Sequence, residues 1–314
     1  MSMDLLRKMN SALGATTGLE LRRVRKRPAS AATSTVQKKP KKRDVAFRPP
    51  ENPAVDRLLD RPIFVISPVR SGSTLLRLLL NGHSQLHAPH ELHIRRLEVH
   101  FRTKLSQRAM DACGLQRGDI EHLLWDRVLH RELVRADKDF IVEKTPSNAF
   151  VWKRIAACWP DARFICLLRH PASIAKSWHE ADPEKRTAEQ AAEDALRYMN
   201  AVQRAREGLP SSHTVRYEDL TADPAGELQR ICDHLDLEFE PRMLEYGGAE
   251  GGLTKGLGDW KDKIRSGSVQ PGRTLPGADE IPELLHDISR TWGYLDEKAG
   301  DRTATGDREG AAAT

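Results

Sequence analysis

The chain has 314 residues, 39% of them hydrophobic, enough for one sizeable core or a core with an elaborated lobe rather than many domains. Its formal charge of +5 suggests a nucleic-acid binder until that charge is placed: residues 1–50 hold 13 Lys and Arg against 3 acids, while residues 51–314 hold 37 against 42. Four scattered cysteines without a C-x-x-C pair indicate neither a zinc site nor a disulfide framework, and with no 18-residue apolar run no membrane span is expected.

Residues 4–13 carry the pattern of a brief helix, and 22–50 are too poor in packing residues to order on their own. The clusters RRVRKR and KKPKKR make residues 1–50 a basic tail, expected to be disordered, that either solubilises the chain or contacts acidic surfaces such as nucleic acid or anionic lipid. No apolar stretch followed by a cleavage site stands at the N-terminus, so a cytoplasmic protein is expected. The folded domain is expected over 51–300, beginning near Pro53, with 301–314 a flexible C-terminus.

PIFVIS (62–67) is nearly all apolar, the pattern of a strand buried on both faces. TLLRLLLNG (74–82) follows as a helix with Gly82 at its C-terminus. DFIVEKTP (139–146) reads as a second strand, VWKRIAACWP (151–160) as a helix stopped by Pro160, and ARFICLLRH (162–170) as a third strand. A helix over 187–207 ends at Gly208, SHTVRYEDL (212–220) gives a fourth strand and its exit, and AGELQRICDHLDL (225–237) a further helix. Short strands alternating with helices predict an α/β, P-loop-like three-layer fold: a central, mostly parallel sheet flanked by helices. Residues 247–278 hold nine glycines and little periodicity, the mark of a functional or disordered loop.

The turn PVRSGSTLL joins the first strand to its helix. A nucleotide-triphosphate loop would read G-x-x-x-x-G-K-[ST]; here Ser67 stands for the first glycine and Ser73 for the lysine. A γ-phosphate site is therefore hard to defend. Arg70, Ser71, Gly72, Ser73 and Thr74 still lie at a helix mouth, where unpaired backbone N–H groups favour an anion; the alternative is an ordinary helix cap. In open α/β sheets ligands gather outside the carboxyl ends of the strands. The other three strand ends supply Lys144 (EKTP), Arg169 with Ser177 eight residues on (LLRHPASIAKSW), and Tyr217 (VRYEDL). Three cations, several hydroxyls and one aromatic suit a nucleotide with phosphates at two places.

With these residues in view the chain resembles the sulfotransferases that use 3′-phosphoadenosine 5′-phosphosulfate. PVRSGSTLLRLLLNGH resembles the family's 5′-phosphosulfate loop, and FICLLRHPASIAKSW its 3′-phosphate segment, a resemblance that assigns the 3′-phosphate to Arg169 and Ser177. VRYEDL matches the family's segment after the next strand. The likeness covers roughly residues 60–240. Within 247–278 it loosely implies a clamp on the 3′-phosphate by Lys261, Lys263 and Arg265, with Trp260 on adenine or anchoring the loop.

Transfer of a sulfuryl group to a hydroxyl or amine needs a base at the acceptor and positive charge at the leaving oxygen. The base candidates sit in NGHSQLHAPHELHIRR: His83, His87, His90, Glu91 and His93. Resemblance to the branch that includes protein-tyrosine sulfotransferases makes Glu91, 21 residues after Arg70, the general base and Lys144 the leaving-group cation. The histidine-base branch would need a histidine farther along, and neither VEKTP nor LRYM offers one. Without its acid-base role, Glu91 is a salt-bridge carboxylate beside Arg95 and Arg96. The histidine cluster lacks a distant Cys or Asp partner, so no metal is expected. Loops over 90–135 and 178–192 are expected to choose the acceptor: a small molecule, glycan, peptide or carrier-bound metabolite bearing a hydroxyl. A kinase-like phosphotransferase and a non-catalytic nucleotide-binding interaction protein are the competing readings.

Overall fold

The computed structural model describes residues 47–209, 211–246 and 267–296. In chain order these form α1 (Pro53–Asp56), β1 (Ile63–Ile66), α2 (Ser73–Asn81), β2 (Leu86–His87), α3 (Lys104–Ala112), α4 (Arg117–Ala136), β3 (Phe140–Glu143) and α5 (Trp152–Cys158). There follow β4 (Arg163–Leu168), α6 (Pro171–Ala181), α7 (Ala188–Gly208), β5 (Ser212–Arg216), α8 (Tyr217–Ala222), α9 (Pro224–His234) and α10 (His286–Thr291).

The five strands make one sheet in the order β2-β3-β1-β4-β5, and every pairing is parallel. The expected sheet is thus present, and wholly parallel among the described strands. β1 lies at its centre, with Ile63–Ile66 opposite Arg163–Cys166 of β4. Its side chains alternate between two cores, as a two-residue period demands. Phe64 and Ile66 face Trp125, Trp159 and Met199 of the α4–α7 layer. Ile63 and Val65 face the leucines of α2 and, from α8 and α9, Leu220, Leu228 and Ile231. Burial of Leu75, Leu76, Leu78, Leu79 and Leu80 fixes α2, and hence the loop before it, against the sheet. Trimming one such leucine to alanine costs about 2–5 kcal/mol.

Three expectations change. The segment 90–135, expected to be loop, contains α3 and the 20-residue α4. The buried face of α4 is half polar — Glu121, His122 and Asp126 beside Trp125 and Leu129 — so it shows no apolar stripe. Those polar groups are structural: Glu121 accepts from Arg117 and Arg154 at 2.9 and 3.0 Å. Asp126 accepts from the Leu58 and Leu59 N–H groups and Trp159 Nε1. Residues 171–181, expected only as a strand exit, form α6, begun by Pro171 at its first turn. Strand β5 ends at Arg216, and its expected exit, YEDL, opens α8. Arg48 is tied to Asp119 at 3.0 Å and to Glu51 at 2.6 Å, ahead of the expected start near Pro53. Residues 1–46 of the basic tail, most of the glycine-rich stretch and the C-terminal residues 297–314 lie outside the described residues.

Candidate active site

The carboxyl ends of the parallel strands bring the named side chains to one edge. At the centre, β1 runs into the loop Ser67–Gly72 and α2. Gly72 has φ 88°, and a Cβ there would sit 2.2 Å from the Tyr217 ring, so both conformation and space demand glycine. Arg70 also takes a left-handed conformation, φ 65°, at a cost of roughly 1–2 kcal/mol for an L side chain. Its neighbours hold it there. Arg70 Nε donates to Ser177 Oγ at 3.2 Å, and Arg169 Nη1 donates to the Arg70 carbonyl at 2.9 Å. Ser71 is buried and donates to the Pro68 carbonyl at 2.8 Å, while Ser73 and Thr74 are buried in the first turn of α2.

On the β4–β5 side, Arg169 leaves the end of β4 and stacks over the Tyr217 ring, 4.5 Å from its centroid. Tyr217 thus braces both the arginine and the glycine turn. Among the described residues no carboxylate forms an ion pair with Arg169. Burial, with Arg273 and Arg70 nearby, brings its pKa down, against the pull of Tyr217 and Glu218. A half-buried guanidinium lacking a carboxylate partner, beside a helix mouth, fits an anionic ligand. Sequence reasoning passed over Arg273, which lies beyond the expected clamp residues and pairs with Glu180 of α6 at 2.9 Å. Lys261, Lys263, Arg265 and Trp260 lie outside the described residues.

On the β2–β3 side, Lys144 follows β3 and is fully buried, with Nζ 2.6 Å from Glu91 Oε1. Burial lowers the lysine's pKa and Glu91 opposes that fall. Glu91 Oε2 stands 3.4 Å from His93 Nε2. Arg77, one turn into α2, is buried, donates to the Ala88 carbonyl at 2.9 Å and feels the Glu91 charge; burial brings its pKa down to about 10. Nothing in the leucine-rich pattern of α2 marked Arg77 as more than a surface cation.

A second carboxylate, missed from sequence, supports this pair. Glu143 is buried, and desolvation pushes its pKa up to about 7. It accepts hydrogen bonds from Thr145 Oγ1 at 2.6 Å and from Asn148 Nδ2. Thr145 Oγ1 in turn accepts from the His93 N–H at 3.2 Å. His93 has φ 51°, so this bond pins a left-handed residue two positions after Glu91.

The other base candidates have different surroundings. His83 is buried, with Nε2 2.9 Å from the Glu238 carbonyl and Nδ1 accepting from the Gln85 N–H. Burial lowers the pKa of His87. Among the described residues no cluster of three or more His, Cys, Asp or Glu side chains is arranged to hold a metal ion.

Residues 62–241 match the model of the sulfotransferase family, an interval that contains the loop, Glu91, Lys144, Arg169, Ser177 and Tyr217. The chain is 29% identical over 144 residues to omega-hydroxy-beta-dihydromenaquinone-9 sulfotransferase Stf3 of Mycobacterium bovis, covering 39% of this chain and 37% of Stf3. It is 26% identical over 282 residues to nodulation protein NoeE of Sinorhizobium fredii, covering 72% of this chain and 66% of NoeE. The matches therefore span only part of either relative. Among solved structures, the sulfotransferase domain of the Synechococcus PCC 7002 olefin synthase is similar at TM-score 0.56 and 25% identity, over 80% of this chain and 99% of that one. The sulfotransferase domain from the curacin biosynthetic pathway shares the fold at TM-score 0.54 and 23% identity, over 76% and 99%.

Proposed function

The chain belongs to the sulfotransferase family, and on that premise we propose that it transfers a sulfuryl group from 3′-phosphoadenosine 5′-phosphosulfate to a hydroxyl-bearing acceptor, with Glu91 as general base. The observation that carries this reading is the division of one sheet edge. Its β2–β3 side holds a buried Lys144 paired with Glu91 at 2.6 Å, and its β4 side holds a half-buried Arg169 with no carboxylate ion-pair partner among the described residues. The first arrangement suits proton transfer and the second suits an anion.

Arg70, Ser71, Gly72, Ser73 and Thr74 would hold the 5′ end of the donor, and Arg169 with Ser177 its 3′-phosphate. When bound, the donor supplies a sulfuryl group activated as a mixed anhydride. Glu91 accepts the proton of the attacking hydroxyl at Oε2, since Oε1 is engaged by Lys144. A new bond forms from the acceptor oxygen to sulfur, the bond from sulfur to the phosphate oxygen breaks, and that oxygen keeps the electron pair. Lys144 supplies positive charge there, and its lowered pKa eases release of a proton to the same oxygen. No step needs a metal. The Glu91–Lys144 contact supports placing the chain in the glutamate-base branch. The name of Stf3, a sulfotransferase of an omega-hydroxylated quinone, supports a hydroxyl over an amine as acceptor. No described helix is long and apolar enough to cross a membrane.

Titration calorimetry with 3′-phosphoadenosine 5′-phosphate and with Mg-ATP tests the donor class. The 3′-phosphonucleotide is expected to bind at least about tenfold tighter, a difference of about 1.4 kcal/mol. Equal or tighter binding of ATP would overturn the reading in favour of a kinase-like protein. An acceptor screen with isotope-labelled phosphosulfate, read by mass shift, then identifies the substrate. If no acceptor is labelled although the 3′-phosphonucleotide binds, the non-catalytic reading replaces it.

A further inference from the structure

The segment that carries Glu91 has little regular structure of its own. β2 pairs with β3 only through Leu86 and His87, so the sheet stops holding the chain four residues before Glu91. The next residue, Ala88, is 1% exposed, and α2 binds both of its backbone groups. Its N–H donates to Asn81 Oδ1 at 2.8 Å, and its carbonyl accepts from Arg77 Nη1 at 2.9 Å. Arg77 and Asn81 are four residues apart and so share one face of the helix. Together they clasp one position of the chain from both sides.

α2 is also the helix that begins at the Gly72 turn, and its buried leucines hold it against the sheet. From Ser73 to Asn81 it rises roughly 12 Å. One rigid element thus meets the anion-binding turn at its start and the chain before Glu91 along its side. Lys144 and Thr145 refer the same segment to β3, through Glu91 Oε1 and the His93 N–H; the clasp refers it to α2. A carbonyl needs only a neutral donor, yet here the donor is a guanidinium, 3% exposed in a run of leucines. Burying that charge is costly, and the nearby carboxylate offsets the cost. Burial brings the Arg77 pKa down to about 10 and Glu91 opposes the fall; burial, with the Arg77 charge, also lowers that of Lys144, again against Glu91.

We propose that Arg77 and Asn81 are positioning residues: they tie the chain that carries Glu91 to the donor-loop helix, so that the base and the sulfur centre are held in one frame. This role rests on Glu91 being the general base. Both residues act through Ala88, and neither is placed at the reacting atoms. The effect is large enough to measure, because a displacement of about 1 Å at a catalytic group costs on the order of 10²-fold in rate.

The test is single-turnover transfer from isotope-labelled 3′-phosphoadenosine 5′-phosphosulfate to the acceptor that the mass-shift screen returns, with calorimetry of 3′-phosphoadenosine 5′-phosphate beside it. Asn81→Leu removes the acceptor atom at similar volume, and Asn81→Asp keeps it. Asn81→Leu should transfer at least about tenfold more slowly, with nucleotide affinity within about twofold of wild type, and Asn81→Asp should recover most of the rate. Added to Glu91→Gln, Asn81→Leu should cost less than about twofold more, because the group it positions is already gone. Arg77→Met, if it folds, should show the same pattern; if it does not, the Asn81 variants decide. Losses that multiply in the double variant overturn the proposal and leave Glu91 as the base. So does a nucleotide affinity that falls with the rate, an Asn81→Asp rate no better than that of Asn81→Leu, or an Asn81→Leu rate close to wild type. Full turnover of Glu91→Gln alone, or no labelled acceptor, is a different result: it overturns the base reading itself, and the positioning role falls with it.

Discussion

The two flanks of the carboxyl edge use a cation withdrawn from solvent, wholly for Lys144 and partly for Arg169, in opposite ways. On the β2–β3 flank Lys144 is matched by Glu91 at 2.6 Å, and Glu143 next to it is held by Thr145 and Asn148. On the β4 flank Arg169 meets a carbonyl and an aromatic face, and no described carboxylate pairs with it. A charge withdrawn from solvent without a partner is costly, so under the proposed function the second flank would receive a ligand that brings the negative charge. The first is internally balanced, and the role proposed for it is the movement of a proton. Variants on one flank should therefore alter turnover, and variants on the other should alter nucleotide affinity.

The largest effect is expected for Glu91→Gln. Removing a general base costs about 10²–10⁴-fold in kcat, while affinity for 3′-phosphoadenosine 5′-phosphate should stay within about twofold of wild type, since the anion flank is untouched. Rapid-quench turnover beside calorimetry checks both. Normal turnover would move the base to His93, which lies 3.4 Å from Glu91 Oε2, and loss of affinity equal to the loss of rate would erase the division of the edge.

Arg169→Ala should do the reverse. Hydrogen bonds to a charged group are worth about 1.5–3 kcal/mol, so 3′-phosphoadenosine 5′-phosphate should bind about tenfold to a hundredfold more weakly. Adenosine 5′-phosphate, which lacks the 3′-phosphate, should lose far less. Equal losses for the two would mean that Arg169 acts through the Arg70 carbonyl, 2.9 Å away, on the loop as a whole.

The strand exits were legible because each carries its chemistry within a few residues of an apolar run. That is why Arg70, Gly72, Arg169, Ser177 and Tyr217 could be named together, and the structure joins them by direct contacts. What hid from sequence was polar burial. α4 buries Glu121, His122 and Asp126, so its inner face looks like solvent surface. Arg77 interrupts a run of leucines yet is 3% exposed. Glu143 read as the polar end of a strand, although its partners Thr145 and Asn148 follow within five residues. Burial of a charge depends on partners elsewhere in the chain, and periodicity does not carry that information.

Glu143→Gln tests whether the balanced flank is also a store of pH dependence. The folded-state pKa is about 7, above the ordinary 4.5, because burial disfavours the anion. Below pH 4.5 the carboxyl is protonated in both states. As pH rises to 7 the unfolded chain releases the proton first, and the wild type loses stability. At about 1.4 kcal/mol per unit this amounts to about 3 kcal/mol, which glutamine does not lose. His122, with its pKa near 4, works the other way over the same range, so the measured quantity is the variant-minus-wild-type difference in denaturant unfolding at pH 5 and pH 8. It should shift in favour of the variant at the higher pH, and a flat difference would mean that Glu143 is ionised throughout. Turnover should fall less than about tenfold, because the link from Glu143 to Glu91 runs only through Thr145 and the His93 N–H.

The smallest effect is expected at the edge of the anion flank. Arg273 pairs with Glu180 at 2.9 Å on α6, the helix that carries Ser177, and its charge contributes to lowering the Arg169 pKa. Both members of the pair are exposed, so its contribution to stability is about 0–1 kcal/mol. Arg273→Ala should therefore leave the unfolding midpoint nearly unchanged. If Arg273 adds to the field that attracts the 3′-phosphate, its removal should weaken 3′-phosphonucleotide binding about two- to fivefold at low ionic strength, and the loss should shrink as salt screens an exposed charge. Glu180→Gln, which frees the same guanidinium, should strengthen binding by a similar factor. An affinity unchanged in both variants would confine the anion flank to the buried residues around Arg169, and would leave Arg273 a surface ion pair that happens to lie beside it.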